Sequence, residues 1–315
     1  MIGKRTAIWK KEEYLYEREG GEIPYLISYM HEDDQIRPAM IVVPGGAYRQ
    51  VSSSEGDIVA RMFYGQGYNV FVLTYSVNPE DAEPLHLQPL KDLARAVRIV
   101  RYYAKQCQID ADKVAVCGFS AGGHLCGSLG VHFKDIEEES PLLKEISCRP
   151  DAEILAYPVV TSGKYKNEES FLALLGEEPA KEELEYMSIE KHVTKETPPC
   201  FLWHTLEDRT VSVENSYLFA EACRKAGVPY AHHVFTEGVH GMSTAEKEWF
   251  EQKLKERPGK WTEEEQRYIY DALDAVGMWT ELAKRWLKKT LDIKERQEID
   301  SEDFIYQTWR SGLYK

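Results

Sequence analysis

Six short apolar runs, mostly separated by stretches with helical spacing, constrain the fold of this chain more than any other feature of its sequence. The runs span residues 39–44, 68–77, 113–118, 152–160, 200–204 and 230–235. Strands that are apolar along their whole length are typical of a parallel sheet buried on both faces, and the helices between them supply the covering layers. The alternation therefore predicts an α/β fold with a mostly parallel central sheet and helices on both of its faces.

Helical periodicity supports this interpretation between the runs. Residues 55–66 can form a helix, and in residues 88–106 apolar side chains recur every three or four positions after Pro89, which suits a first helical turn. Residues 213–226 are amphipathic, and Gly227 follows them directly, as expected at a helix C-terminus.

Two segments break the alternation. Residues 161–198 hold a helical patch but no strong strand, which predicts an insertion over one end of the sheet and makes this segment a candidate cap. Residues 245–276 are charged and helical and form a second predicted insertion, followed by an amphipathic closing helix at 277–291. We therefore expect one domain over residues 1–291. The tail at 292–315 is polar with several aromatic residues and is expected to pack on this domain or on a partner subunit, as in a possible homo-oligomer.

Net charge and hydropathy limit the classes of partner and the cellular locations that we expect for this protein. The 315 residues carry a formal charge of −14, which disfavours nucleic acid and anionic membranes as partners. The chain has no run of about eighteen apolar residues, the length that a membrane-spanning helix needs. Its first residues lack the apolar core of a signal peptide, so a cytoplasmic protein is expected, although removal of a leader stays an open alternative.

Metal and nucleotide chemistry are not indicated by any motif. The six cysteines include no C-x-x-C pair, and neither a phosphate-binding G-x-x-x-x-G-K-[ST], nor G-x-G-x-x-G, nor H-E-x-x-H occurs. We therefore expect no cofactor and no metal, and the cysteines are interpreted as reduced thiols.

The sharpest local signal is the sequence Gly118-Phe119-Ser120-Ala121-Gly122. It fits G-x-S-x-G, follows an apolar run and precedes a helical one, which is the context of a nucleophile elbow. Glycines two residues before and after the serine fit a tight strand-to-helix turn in which side chains would collide with backbone. The pattern predicts that Ser120 is a nucleophile.

A serine hydroxyl needs a base, and in a fold of this kind the chain order is serine, then acid, then histidine. Asp208 lies just beyond the run at 200–204, and His240 follows the run at 230–235. Both would lie in loops at the carboxyl ends of strands, where such sites are built. We predict His240 as the base and Asp208 as the acid that orients it, with Glu207 as an alternative acid.

The other eight histidines are weaker candidates for the base. Two are expected to be structural within a strand (His232, His233), and two are expected to brace the elbow helix or a strand end (His124, His204). Nothing in the local sequence singles out the remaining four (His31, His86, His132, His192).

The sequence Pro44-Gly45-Gly46-Ala47-Tyr48 follows the first run and suggests an oxyanion hole. Glycines there allow backbone N–H groups to approach a developing oxyanion. In this fold the second donor is the N–H after the nucleophile. We therefore predict that this loop and the amide of Ala121 supply the donors. Four aromatic residues near predicted strand ends are candidates to line the pocket (Tyr48, Tyr75, Tyr157, Trp203).

Taken together, the segments PGGAY, SSSEG, GYNVFVLTYSV, DLARAVRIVRYYA, GFSAGGHL, HTLEDRTV and GVHG resemble the bacterial acetyl-xylan-esterase-like, carbohydrate-esterase-like branch of the α/β-hydrolases, over roughly residues 37–243 and the closing helix. The resemblance implies the α/β-hydrolase fold, a Ser120–Asp208–His240 triad and an oxyanion hole formed by Gly46, Ala47 and Ala121. It also implies metal-independent hydrolysis of short-chain acyl esters. It points to acetyl groups on sugars or xylo-oligosaccharides. Pro44 stands where many relatives have histidine, and Ala47 where they have the last glycine of His-Gly-Gly-Gly.

Two rival functions stay open at this point. A peptidase of the prolyl-oligopeptidase type would share the triad, but no carboxylate pair to grip a peptide terminus is recognisable in the sequence. A non-catalytic binding protein with a hydrolase-like fold is disfavoured because all three triad positions are filled.

Overall fold

An eight-stranded sheet forms the centre of the molecule. The computed structural model describes residues 2–14, 16, 22–79, 83–256 and 258–293. The strands are β1 (Ile2–Ala7), β2 (Tyr25–Tyr29), β3 (Arg37–Val43), β4 (Asn69–Thr74), β5 (Ile109–Phe119), β6 (Ala152–Ala156), β7 (Cys200–Thr205) and β8 (Tyr230–Phe235).

The sheet is mostly parallel, as predicted, and its strand order is β1-β2-β4-β3-β5-β6-β7-β8. The six strands from β3 to β8 pair in parallel, with β5 in the middle between β3 and β6. The two antiparallel pairings among the described strands are β1 with β2 and β2 with β4. The carboxyl ends of the parallel strands therefore meet at one edge, where their following loops converge.

Helices cover both faces of the sheet. They are α1 (Asp57–Gly65), α2 (Gln88–Tyr102), α3 (Ala121–His132), α4 (Glu168–Leu175), α5 (Lys181–Tyr186), α6 (Glu214–Ala226), α7 (Lys247–Glu256) and α8 (Glu263–Thr290), with short 3₁₀ helices at Lys11–Glu13, Ser53–Glu55 and Ile189–Lys191. None of the helices in the described part of the chain is long and apolar enough to cross a membrane.

The apolar core consists of two layers separated by the sheet. Because successive side chains of a strand point to opposite faces, Ile41 and Val43 of β3 join the layer under α2, α3 and α6. Met40 and Val42 of the same strand join the layer under α1 and α8. All four side chains are fully buried. This double burial explains why β3 reads as an unbroken apolar run rather than an alternating one.

The two predicted insertions contain helices and no strand. Residues 161–198 form α4, α5 and the 3₁₀ helix Ile189–Lys191, whose buried apolar side chains pack into the α2–α3–α6 layer. Residues 245–276 form α7 and the first half of α8. The closing helix predicted at 277–291 is wrong in its start, because α8 is continuous from Glu263. Of the predicted tail, residues 294–315 lie outside the described residues.

Candidate active site

The turn between β5 and α3 places Ser120 at the carboxyl edge of the sheet. Its backbone has φ 54° and ψ −117°, a conformation that costs a non-glycine residue about 1–3 kcal/mol. Hydrogen bonds hold it there: the Ser120 amide donates to the carbonyl of Ala156 at 2.9 Å, and its carbonyl accepts from the amide of His124 at 3.0 Å. The side chain is thereby held at the start of α3, where the positive end of the helix dipole favours negative charge.

The two motif glycines are required by close backbone approach. A Cβ at Gly118 would lie 2.2 Å from the carbonyl oxygen of Gly122, and a Cβ at Gly122 would lie 2.1 Å from that of Val43. These distances are far below van der Waals contact, and the atoms met are backbone atoms that cannot move aside. The turn at Ser120 therefore excludes every other residue at these positions.

The structure brings Ser120, His240 and Asp208 together in one chain of hydrogen bonds. Asp208 lies in the loop after β7, and His240 lies in the loop after β8. The Nδ1 atom of His240 is 2.6 Å from Oδ2 of Asp208, and its Nε2 is 2.9 Å from Oγ of Ser120. Since a carboxylate accepts, Nδ1 carries the proton, which leaves Nε2 of the neutral ring to accept from the serine hydroxyl.

Asp208 is held as a carboxylate. Its Oδ1 accepts from the amides of Thr210 and Val211, each at 2.9 Å, and its Oδ2 also lies 3.3 Å from Nε2 of His204. Burial by itself raises the pKa of Asp208, but the hydrogen bonds from His204 and His240 outweigh it and hold this pKa well below its usual range. An ionised, fixed carboxylate beside Nδ1 is what stabilises an imidazolium.

Glu207, the alternative acid, points elsewhere. Its side chain is exposed and accepts a hydrogen bond from the hydroxyl of Tyr268 in α8. Asp208, and not its neighbour, is therefore the carboxylate that contacts His240.

The three proposed oxyanion donors differ in whether they line the cavity that contains Ser120. Gly46 and Ala47 line the cavity that contains Ser120 and His240. The preceding amide, that of Gly45, donates to Oε2 of Glu55 at 2.8 Å and is already used. Ala121 is fully buried behind the cavity, and as the first residue of α3 it has an amide with no intrahelical acceptor.

The other histidines bond to groups away from Ser120. His204 donates from Nε2 to the carbonyl of Val211 at 2.9 Å, next to Asp208. His232 and His233 lie in β8. Four others each contact a carbonyl or a carboxylate elsewhere in the fold (His31, His86, His132, His192).

His124 braces the elbow helix. Its Nε2 is 2.9 Å from the carbonyl of Met187 and must donate to it, so Nδ1 accepts from the hydroxyl of Tyr48 at 2.8 Å. The side chain is 1% exposed, and burial lowers the pKa of His124 to about 4. The ring is therefore neutral in the folded protein and links the 44–48 loop to α3 and to the segment before Ile189–Lys191.

This burial predicts a loss of stability in acid. Because the pKa of His124 is lowered on folding, the unfolded chain takes up the proton first, and stability is lost as the pH falls from about 6.5 towards the folded value. Between pH 8 and pH 5 the free energy of unfolding should fall by about 2 kcal/mol more in the wild type than in a His124→Gln variant. Urea unfolding at several pH values measures both curves, and parallel curves would contradict the prediction.

A cavity of about 310 Å³ opens in front of Ser120. Its wall is supplied by the loop after β3, by the insertions and by the loop after β8. Besides Gly46, Ala47, Ser120 and His240, its lining includes Arg49, Gln50, Ser52, Glu55, Asn167, Glu169, Thr210, Val239, Trp249, Lys253, Lys260, Trp261 and Ile269. Among the described residues, no group of three or more histidine, cysteine, aspartate or glutamate side chains could hold a metal ion.

The aromatic residues of this cavity differ from the ones suggested by the sequence. The four candidates near strand ends are at most 2% exposed and are absent from the lining (Tyr48, Tyr75, Tyr157, Trp203). The hydroxyls of the three tyrosines form hydrogen bonds within the protein. That of Tyr75, for example, donates to the carbonyl of Pro44 at 2.7 Å. Instead, Trp249 and Trp261 reach the cavity from the segment 245–276. Sequence reasoning missed them because no local pattern orients that segment towards the sheet edge.

Glu55 was also missed. Its carboxylate is 4% exposed, although charged side chains are rarely buried without partners. Oε2 accepts from the amide of Gly45, and Oε1 accepts from the hydroxyl of Tyr157 at 2.7 Å. In the sequence Glu55 is the acidic residue of the segment SSSEG, with no local sign of a structural role, and its partners lie 10 and 102 residues away along the chain.

A family model and several known proteins match more than half of the chain. A family model described as BD-FAE matches residues 27–223 of the chain. Endo-1,4-beta-xylanase B of Butyrivibrio fibrisolvens is 50% identical over 246 residues, which make up 78% of this chain and 39% of that protein. Acetylxylan esterase of Xylanibacter ruminicola is 28% identical over 244 residues, or 75% of this chain and 47% of that protein. The matched region thus spans less than half the length of either relative.

One solved structure covers nearly the whole chain. The crystal structure of an acetyl ester-xyloside bifunctional hydrolase from Caldicellulosiruptor lactoaceticus superimposes with a TM-score of 0.77 at 34% sequence identity. The superposition covers 91% of this chain and 96% of that chain. The segment 245–276, which supplies two tryptophans to the cavity, lies outside the residues matched by the family model.

Proposed function

The chain belongs to the BD-FAE family and has the α/β-hydrolase fold, and from that premise we propose that it is a serine esterase that hydrolyses short-chain acyl esters. The observation that carries the proposal is the hydrogen-bonded chain Ser120–His240–Asp208 at the floor of a cavity. Carboxylic ester hydrolysis is also the reaction class indicated by the names of its relatives, an acetylxylan esterase and an acetyl ester-xyloside hydrolase among them.

The proposed reaction has two acyl-transfer steps. Ser120 attacks the ester carbonyl while Nε2 of His240 takes the hydroxyl proton, and Asp208 stabilises the imidazolium that results. The amides of Gly46, Ala47 and Ala121 would bind the oxyanion. His240 then gives its proton to the departing alkoxide, which leaves an acyl group on Ser120. Water, deprotonated by Nε2 of His240, then attacks the acyl carbonyl. The bond from this carbon to Oγ of Ser120 breaks, His240 returns the proton to Oγ, and the acid is released.

For the substrate we propose an acetyl ester of a sugar or xylo-oligosaccharide. The cavity lining is rich in hydroxyl, amide and charged side chains, which suits a polar alcohol, and the partly buried indole of Trp261 offers an apolar surface. Three relatives act on xylan-derived material according to their names, which supports the same substrate class.

Trp261 is expected to bind the alcohol half of the substrate. It is partly buried at the cavity wall, with Nζ of Lys260 4.8 Å from its ring centroid. If a sugar ring packs on it, Trp261→Ala should raise KM for an acetylated xylo-oligosaccharide about 10-fold and leave kcat/KM for p-nitrophenyl acetate within about 3-fold. Trp286→Ala, which removes an indole of α8 outside the cavity lining, is the matched control. Equal losses on both substrates would contradict this role.

Initial rates on a series of esters test the proposed function. We expect the catalytic efficiency to fall from p-nitrophenyl acetate to the butyrate and again to the octanoate, and acetate to be released from acetylated xylo-oligosaccharides. No turnover of any ester, together with cleavage of aminoacyl-nitroanilides, would replace the esterase by a peptidase. No turnover of either class would favour a binding role.

A further inference from the structure

One buried carboxylate links the two loops that carry the chemistry. Glu55 sits beneath the oxyanion loop (residues 44–48) and accepts from the amide of Gly45 at 2.8 Å. Its other oxygen accepts from the hydroxyl of Tyr157, the residue that follows β6, at 2.7 Å. Both oxygens are therefore satisfied by donors, as a buried charge requires.

The same hydroxyl reaches the loop of the proposed base. The amide of Ser243 lies 3.0 Å from the Tyr157 oxygen, and because an amide can only donate, that oxygen accepts from Ser243 and gives its own proton to Glu55. Burial, aided by the charge of Glu55, raises the pKa of Tyr157 well above its usual range, so the hydroxyl keeps its proton.

These contacts adjoin reacting groups at both ends. Gly45 directly precedes Gly46 and Ala47 of the cavity wall, and Ser243 follows His240 by three residues. The ring of Tyr157 lies edge-on to the imidazole of His240, with 5.0 Å between the centroids. The carbonyl of Ser243 in turn accepts from the indole of Trp279 at 2.9 Å, which fixes this loop to α8.

We propose that Glu55 is a positioning residue of the active site, which acts through Tyr157 to hold the oxyanion loop and the base loop (residues 238–243) at a fixed separation. The proposal rests on the proposed function, since it concerns the same reaction. Donors aimed at a developing oxyanion act without reorganisation only when they are held in place beforehand. If such donors shift slightly relative to the base, they stabilise the transition state less, while the affinity for the substrate is kept.

Two conservative variants test this role. Glu55→Gln keeps the shape of the side chain but turns an N–H₂ group towards one of the two donors, and Tyr157→Phe removes the link alone. Each should lower kcat for p-nitrophenyl acetate about 10- to 100-fold with KM within about 3-fold of the wild type. Because both variants break one network, the double variant should lose no more than about 3-fold beyond the worse single variant.

Asp92→Asn separates positioning from general loss of stability. Asp92 is also a fully buried carboxylate, and it lies in α2, outside the cavity lining. It accepts hydrogen bonds from the Trp9 indole and from the Ser76 amide. It should lower the unfolding midpoint and leave kcat unchanged. If Glu55→Gln leaves kcat within about 3-fold of the wild type, or if Asp92→Asn lowers kcat equally, the proposal is overturned.

Hydrogen exchange supplies a readout that does not depend on the reaction. In Glu55→Gln, peptides covering residues 44–50 and 239–245 should both exchange faster than in the wild type, since both loops lose their common tether. Faster exchange confined to 44–50 would overturn the coupling. A wild type that turns over no ester would refute the proposed function instead, and the exchange data would then decide the coupling on their own.

Discussion

Replacing Ser120 with alanine is expected to lower kcat/KM for p-nitrophenyl acetate by about 10⁴-fold or more. The variant loses the hydroxyl oxygen that lies 2.9 Å from Nε2 of His240, so no acyl-enzyme can form at this position. Any residual rate would come from the oxyanion donors and the cavity acting on water. Initial rates over a range of substrate concentrations measure the effect.

Ser128→Ala is the matched control for this change. Ser128 is a buried serine two turns further along α3, at 2% exposure, and its hydroxyl has no partner among the described residues. It should keep full activity, and both variants should unfold within about 1 kcal/mol of the wild type. Activity that survives in Ser120→Ala would remove the basis of the proposed mechanism.

Replacing Asp208 with asparagine is expected to cost about 10³- to 10⁴-fold in kcat. The asparagine side chain matches the carboxylate in shape, but no charge remains to stabilise the His240 imidazolium, and the amide no longer selects the ring tautomer with its proton on Nδ1. The two backbone amides that now donate to Oδ1, those of Thr210 and Val211, keep the loop folded if the amide oxygen faces them. The loss should therefore appear in kcat more than in stability.

The adjacent carboxylate provides the control. Glu207→Gln removes one negative charge at the next position, but this side chain contacts the hydroxyl of Tyr268 rather than His240. Its kcat should stay within about 3-fold of the wild type. A large loss in Glu207→Gln together with a small one in Asp208→Asn would reverse the assignment of the acid.

The parallel part of the sheet and the strand-to-helix turn at Ser120 could be predicted because both leave local patterns in the sequence. The strands β3 to β7 are buried over most of their length and so read as apolar runs, whereas β8 at the edge of the sheet is mostly half-buried. The β5–α3 turn needs Gly118 and Gly122 for steric reasons that hold wherever this turn occurs. Asp208 and His240 followed from chain order and from their places after β7 and β8.

The antiparallel edge could not be predicted in the same way. β1 (Ile2–Ala7) has the sequence IGKRTA and lies at the edge of the sheet, so it carries little apolar signal. Its place depends on pairing with β2, which in turn pairs with β4, and such long-range contacts override local propensity.

The start of α8 is marked in the sequence by Thr262 and Glu265. Thr262 accepts from the amide of Glu265 at 3.2 Å, and Glu265 bonds back to the amide of Thr262 at 2.8 Å, a capping box that marks the helix start. Gly277 lies within α8, although glycine weakens a helix interior. A Cβ there would come 3.3 Å from the carbonyl oxygen of Ala245, so close packing favours glycine at this position.

The network around Glu55 illustrates the limit of sequence reasoning at the site itself. Its partner Tyr157 is 102 residues away, and their contact exists only because β3 and β6 both flank β5 in the sheet. Glu55 lies in the segment SSSEG, which carries part of the family resemblance, but that pattern gives no indication of its contact with Tyr157. The orientation of Trp249 and Trp261 likewise depends on how α7 and α8 pack on the sheet.

Mapping the site of covalent modification by a fluorophosphonate tests the central claim most directly, because this probe reacts irreversibly with an activated serine. After incubation of the intact protein, proteolysis and mass spectrometry would locate the adduct. We predict a single adduct on the peptide that contains Ser120, and none in the Ser120→Ala variant. An unmodified protein that still hydrolyses esters, or an adduct on another residue, would contradict the assignment of Ser120 as the nucleophile.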